Sequence, residues 1–124
     1  MGERLWRVFL SFPVLSPAEE LADWKLATNS LEENWALGGC RRVNIDPGYV
    51  AVGKIVLAST KDAPHRVFVG RGIYAEVTLV FQHGAYRPLP HTYPDYTTPT
   101  ALEFLAASRQ DLLRDLRKRR VPTP

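Results

Sequence analysis

Residues 65–89, HRVFVGRGIYAEVTLVFQHGAYRPL, decide the fold. Gly70-Arg71-Gly72 separates His65 to Val69 from Ile73 to Gln82, and His83-Gly84 separates that run from Ala85 to Leu89. Short Gly-containing breaks between apolar runs are hairpin signals, so the stretch reads as three antiparallel strands. A three-residue first loop makes Val69 face Ile73 and Arg66 face Glu76, with Val67, Val69, Ile73, Ala75, Val77, Leu79 and Phe81 on one face. A two-residue loop would pair His65 with Glu76 and mix apolar with polar, so the first register is preferred. In it Arg66, Tyr74, Glu76 and Thr78 share the other face, where the His83-Gly84 turn also puts Arg87, across from Val80. Arg66, Glu76 and Arg87 then read either as a floor that binds an anion or orders a catalytic carboxylate, or as a plain cross-strand salt bridge.

On either side of this sheet the chain carries helical signals. Ser16-Pro17-Ala18-Glu19 matches a capping box with Pro at the first helical position, and Leu21, Trp24, Leu31 and Trp35 recur at helical spacing until Gly38-Gly39. Lys25, Asn29 and Glu32 form a polar stripe beside them, read first as a solvated face and second as part of a site. A closing helix starts at Thr98-Pro99 and runs Leu102, Leu105, Ala106, Leu112, Leu113 and Leu116 down one face into a basic tail, residues 117–124. Arg7 to Phe12 alternates like a half-buried strand, and Arg42 to Asp46 reads as a short strand entering a Pro-Gly turn. Val50 to Thr60 suits a buried strand or a helix; periodicity does not arbitrate, and the reading leans to a helix. The expectation is one α+β domain spanning residues 1–124, with two main helices packed on one face of a small antiparallel sheet.

Composition narrows the function. The chain has 124 residues, 45% of them hydrophobic, which suits a single globular domain. No apolar run approaches the about 18 residues of a membrane span and no signal peptide opens the chain, so the expected location is the cytoplasm. Cys40 is the single cysteine and His65, His83 and His91 are scattered, which excludes an internal disulfide and leaves no zinc spacing. The net charge of +3 is concentrated at the end of the chain. Residues 109–124 carry six basic groups against Asp111 and Asp115, leaving the rest with 10 basic and 11 acidic. A nearly neutral body does not make a nucleic-acid footprint, and RNA binding through the tail ranks behind the other readings.

Chemistry concentrates in Lys61-Asp62-Ala63-Pro64-His65-Arg66. A phosphate ester needs cations for its oxygens, a proton carrier near neutral pH, and a carboxylate to position a metal or water. Lys54, Lys61 and Arg66 supply the first, His65 the second, and Asp62, Glu76 or Asp46 the third. The bland alternative is an ion-paired turn with a half-buried histidine. GTP binding is not supported: Gly48 to Gly53 is followed by Lys54 and then Ile55, without the hydroxyl that a P-loop needs. The leading expectation is therefore a protein that binds an anionic or phosphorylated small molecule, or an enzyme that acts on one, with Asp62, His65 and Glu76 as the catalytic candidates. A non-catalytic interaction or scaffold domain is the alternative, and no cofactor is specified.

KLATNSLEE, VNIDPGY, GKIVLASTKDAPHRVFVGRGIYAEVTL and PLPHTYPDYTTP occur in this order. On these motifs the chain resembles the bacterial family called domain of unknown function 4416. The resemblance implies no activity and no catalytic residues. Members of that family carry a further stretch with an apolar strand before the position of Met1, so the chain resembles their later two-thirds. From that follows the expectation of an upstream in-frame strand or of self-association into a homo-oligomer through a vacated sheet edge.

Overall fold

The computed structural model describes residues 6–12, 14–40 and 42–119. Its elements in chain order are α1 (Leu21–Asn34), β1 (Gly48–Val50), β2 (Lys54–Ser59), β3 (Arg66–Gly70), β4 (Ile73–Gln82), β5 (Ala85–Pro88) and α2 (Pro99–Lys118). The fold is α+β, with a five-stranded antiparallel sheet of order β1-β2-β4-β3 and β5 paired to β4. Among the described residues no helix is long and apolar enough to cross a membrane.

The first hairpin keeps the expected register over most of its length. Arg66 pairs with Glu76, Val67 with Ala75 and Phe68 with Tyr74. At the tip a bulge sets Gly70, rather than Val69, opposite Ile73. Gly70, Arg71 and Gly72 all have positive φ (104°, 56° and 78°), and the bulge keeps β-branched Val69 out of that region. The second hairpin turns at His83 and Gly84, both with positive φ as a two-residue primed turn requires, and places Arg87 opposite Val80.

Three expected elements differ. Within Val50 to Thr60, Lys54–Ser59 is strand, not helix, and Ile55, Val56 and Ala58 are all buried within the sheet. A strand covered on both faces loses the alternation that would have identified it. Arg42 to Asp46 is not a strand: the Lys25 ammonium donates to the Ile45 carbonyl (3.3 Å) and Arg7 pairs with Asp46 (3.2 Å). Pairing to β2 begins one step later, where Ala58 N donates to Pro47 O (3.0 Å). Arg7 to Phe12 forms no strand either. Its fixed points are side chains, the Arg7–Asp46 pair and the Phe9 ring 6.0 Å from that of Tyr96 and 5.6 Å from that of Phe104.

α1 is entered through a 3-10 turn, Ala18–Glu20, and neither has a side-chain cap, so the capping-box pattern is not realised as one. After α1, a tight turn at Gly38 and Gly39 lets Leu37 and Cys40 exchange backbone hydrogen bonds (3.0 and 2.9 Å). α2 starts as expected, with Thr98 Oγ1 accepting from Ala101 N at 3.2 Å and Pro99 in the first turn. Its buried positions are Ala101, Leu105 and Ser108, whereas Leu116 is 39% exposed. The last residues of the expected basic tail, 120–124, and Arg41 lie outside the described residues.

The chain groups into two compact units. The first comprises residues 1–8, 17–49 and 57–76, and buries Leu21, Ala22, Ala58 and Ile73 together with Lys25, Glu32 and Glu76. The second comprises residues 9–16, 50–56 and 77–124, with a core that includes Ile55, Val56, Leu79, Tyr86, Tyr96 and Leu105. Within the second, β5 pairs with β4 only from Leu79 onward. The carbonyls just before that point are taken by side chains: His91 Nε2 lies 2.7 Å from Val77 O, and Thr92 Oγ1 donates to Thr78 O at 2.5 Å. Buried backbone acceptors are thus satisfied where the ladder stops.

Candidate functional site

The cluster lies in the first unit and is built by a turn and a hairpin. Arg66 N donates to Ala63 O at 3.0 Å, closing a four-residue turn with Pro64 at its second position, where the fixed proline φ fits. That turn delivers His65 beside Arg66 at the start of β3. The hairpin register then brings Arg66 opposite Glu76, so two successive residues converge on one carboxylate. Glu76 Oε1 is 3.1 Å from Arg66 Nε and 3.1 Å from His65 Nε2. Arg66 Nη1 also donates to Lys61 O (3.0 Å), and Lys61 N to Ser59 Oγ (3.1 Å), which fixes the loop between β2 and β3 onto the same guanidinium.

Burial grades outward across this group. The side chain of Glu76 is 5% exposed, that of Arg66 14% and that of His65 33%. A carboxylate withdrawn from water is retained as an anion only with cationic and hydrogen-bonding partners, which Arg66 and His65 provide. A carboxylate only accepts, so the imidazole directs its Nε2–H inward and its Nδ1 is the nitrogen on the other side of the ring. Lys61 is exposed, and its ammonium has no hydrogen-bond or ion-pair partner among the described residues.

Of the residues expected to form a site, the structure joins His65, Arg66 and Glu76, with Lys61 attached through its backbone. Asp62 is exposed in the same loop, and no hydrogen bond or ion pair ties its side chain to the cluster among the described residues. Asp46 is paired with Arg7. Lys54 and Arg87, both exposed, are described with the second unit.

The polar stripe of α1 differs from a solvated face. Lys25 and Glu32 are 7% and 2% exposed, while Leu31 and Trp35 are 41% and 51% exposed. The helix therefore turns charged residues inward and part of its apolar stripe outward. An ion pair between Asp23 and Arg71 ties α1 to the tip of the β3–β4 hairpin. Regular spacing at 25, 29 and 32 was visible in the sequence, but spacing alone does not say which stripe is covered.

Elsewhere, in the second unit, a shallow depression of about 290 Å³ is lined by Val14, Leu15, Asp115, Lys118 and Arg119, none of them expected site residues. No group of three or more His, Cys, Asp or Glu placed to hold a metal ion occurs among the described residues. Residues 1–112 match the family model described as Domain of unknown function (DUF4416), and the chain belongs to that family. No curated protein and no solved structure matches it.

Proposed function

We propose that this member of the DUF4416 family binds a phosphorylated or otherwise anionic small molecule at the cluster of Lys61, His65, Arg66 and Glu76. The observation that carries the reading is the convergence of His65 Nε2 and Arg66 Nε on the buried Glu76 Oε1. A buried carboxylate orders both cationic groups, and ordered donors bind an anion without the entropy cost of arranging them. Lys61 adds an exposed ammonium in the adjoining loop. By formal charge Lys61 and Arg66 balance Asp62 and Glu76, and the His65 imidazole adds a further polar group for an anion.

The same arrangement can move a proton. His65, held by Glu76, would carry a proton to or from an ester oxygen, and Glu76 would act as its positioning residue. Asp62 is the exposed carboxylate nearest in sequence for orienting a water. Hydrolysis of a phosphomonoester then releases inorganic phosphate, whereas a binding protein returns the ester intact.

Titration with inorganic phosphate and with p-nitrophenyl phosphate, followed by calorimetry and by imidazole NMR, tests the reading. Lys61→Ala should weaken phosphate binding about tenfold, as expected for loss of one charge-assisted contact, and leave the melting temperature unchanged. Arg66→Ala is a poor first test because it strands a buried carboxylate. The second reading is that His65, Arg66 and Glu76 form a structural clasp in an interaction domain. It is favoured by the low exposure of Arg66, and under it phosphate neither binds nor shifts the His65 resonances.

A further inference from the structure

We propose that two copies of this chain pair edge to edge through β3, with Phe68 on the two-fold axis. β3 ends the sheet: it pairs with β4 on one side and, among the described residues, with no strand on the other. Its apolar run Val67, Phe68 and Val69 is 67%, 58% and 45% exposed. Two observations fix which backbone groups face the open side. Arg66 N is engaged by Ala63 O in the turn that precedes the strand, and Gly70 stands opposite Ile73 across the two positive-φ residues Arg71 and Gly72, as the mutually bonded pair of a two-residue turn does. Bonded and open positions alternate along an antiparallel ladder, so Val67 bonds to Ala75 and the N–H and C=O of Phe68 point off the sheet. The Phe68 ring rests edge-on against Tyr74 at 5.3 Å, which holds this position in place. All of β3 lies in the first unit.

The sequence of the edge selects its occupant. Val67-Phe68-Val69 reads the same in both directions, so an antiparallel second copy sets Phe68 against Phe68 and Val67 against Val69. Arg66 then falls across from Gly70, and no like charges are opposed. The two Phe68 residues exchange N–H to O=C bonds across the axis. The nearest cations, Arg66 and Arg71, are already held by Glu76 and Asp23. Val67, Phe68 and Val69 include neither the lysine nor the proline that commonly keeps an edge from pairing. The bulge past Phe68 keeps the matched length short, so the contact is smaller than the roughly 800 Å² that each partner gives to a standard interface, and pairing is reversible and concentration-dependent. A two-fold contact uses this edge on both copies and closes at two.

Sedimentation velocity on the purified chain from about 10 μM to about 1 mM tests the proposal. The expected species at the upper end has twice the 14.0 kDa mass of one chain. Val67→Lys with Val69→Lys opposes like charges on both sides of the axis and should leave the single-chain mass with an unchanged far-ultraviolet circular dichroism spectrum. Val67→Lys with Val69→Glu opposes unlike charges at the same positions and should restore the pair. Amide hydrogen exchange of the wild type gives a reading free of any variant: Phe68 N–H should exchange several-fold more slowly at high concentration than at low, while Val67 N–H stays protected at both. A wild-type monomer throughout the range, a dimer that survives the double lysine substitution, no recovery with the lysine and glutamate pair, or Phe68 exchange that ignores concentration would each overturn the proposal. So would assembly beyond two copies, since a two-fold edge contact closes.

Discussion

Arg66 and Glu76 stand opposite each other across the β3–β4 hairpin, and their side chains meet at 3.1 Å where Glu76 keeps only 5% of its side-chain surface. Register and bond coincide, so the pair holds the strands in one alignment as well as neutralising charge. Arg66→Ala should cost about 3–5 kcal/mol, because the carboxylate stays buried and loses its main cation. Replacing both residues by Met should cost less than that single change. Urea denaturation of the two variants checks the order, and equal losses would mean that Glu76 reaches water.

Tyr86 is 8% exposed, and its hydroxyl has no hydrogen-bond partner among the described residues. An unpaired buried hydroxyl is a cost, so Tyr86→Phe should raise stability by about 1 kcal/mol. The edge-on contact of its ring with Phe81, at 5.1 Å, is kept by the substitution.

The same residue sets a pH dependence. Burial pushes the Tyr86 phenol above its usual 10.0, and the Arg109 charge pulls it part of the way back. Below pH 10 the phenol is neutral in both folded and unfolded chains. As pH rises past that value the unfolded chain ionises first, so this contribution to stability is lost until the folded phenol ionises too. Stability measured between about pH 9 and 11 should fall more steeply in the wild type than in Tyr86→Phe.

His83 has φ 52° and precedes Gly84 in the two-residue turn between β4 and β5. Asn tolerates that conformation better than His and favours this turn type, so His83→Asn should raise the thermal midpoint, by about 0.5–1 kcal/mol in stability.

Thr98 caps α2 through the 3.2 Å bond from Ala101 N. Thr98→Ala should cost about 1 kcal/mol, and Thr98→Asp should recover it. Thermal melts of the two variants separate loss of the cap from loss of the threonine methyl.

The parts of this fold that local rules govern were legible in the sequence. Gly70-Arg71-Gly72 and His83-Gly84 announce both turns, and requiring one apolar face selects the register that pairs Arg66 with Glu76. What failed was decided by distant chain. β2 is covered on both sides, so Ile55 and Val56 are buried in succession and leave no alternation to read. Arg7 to Phe12 has the alternation without a ladder, because pairing needs a neighbour and periodicity reports only a preference. At the cluster, the types of group were legible, but their convergence was not. His65 reaches Glu76 through a proline turn, and Lys25 and Glu32 are buried through a packing choice that leaves Leu31 and Trp35 partly outside. Periodicity identifies both stripes of α1 without saying which one water touches.

The Leu37–Cys40 turn has an experimental use. It holds the chain's one thiol in an exposed position. A maleimide or methanethiosulfonate reagent therefore attaches once per molecule, without first removing competing cysteines by mutation. A nitroxide on Cys40 would report the motion of this turn by electron resonance, and a fluorophore there would follow unfolding of the chain after α1. The wild-type chain thus carries its own address for a probe.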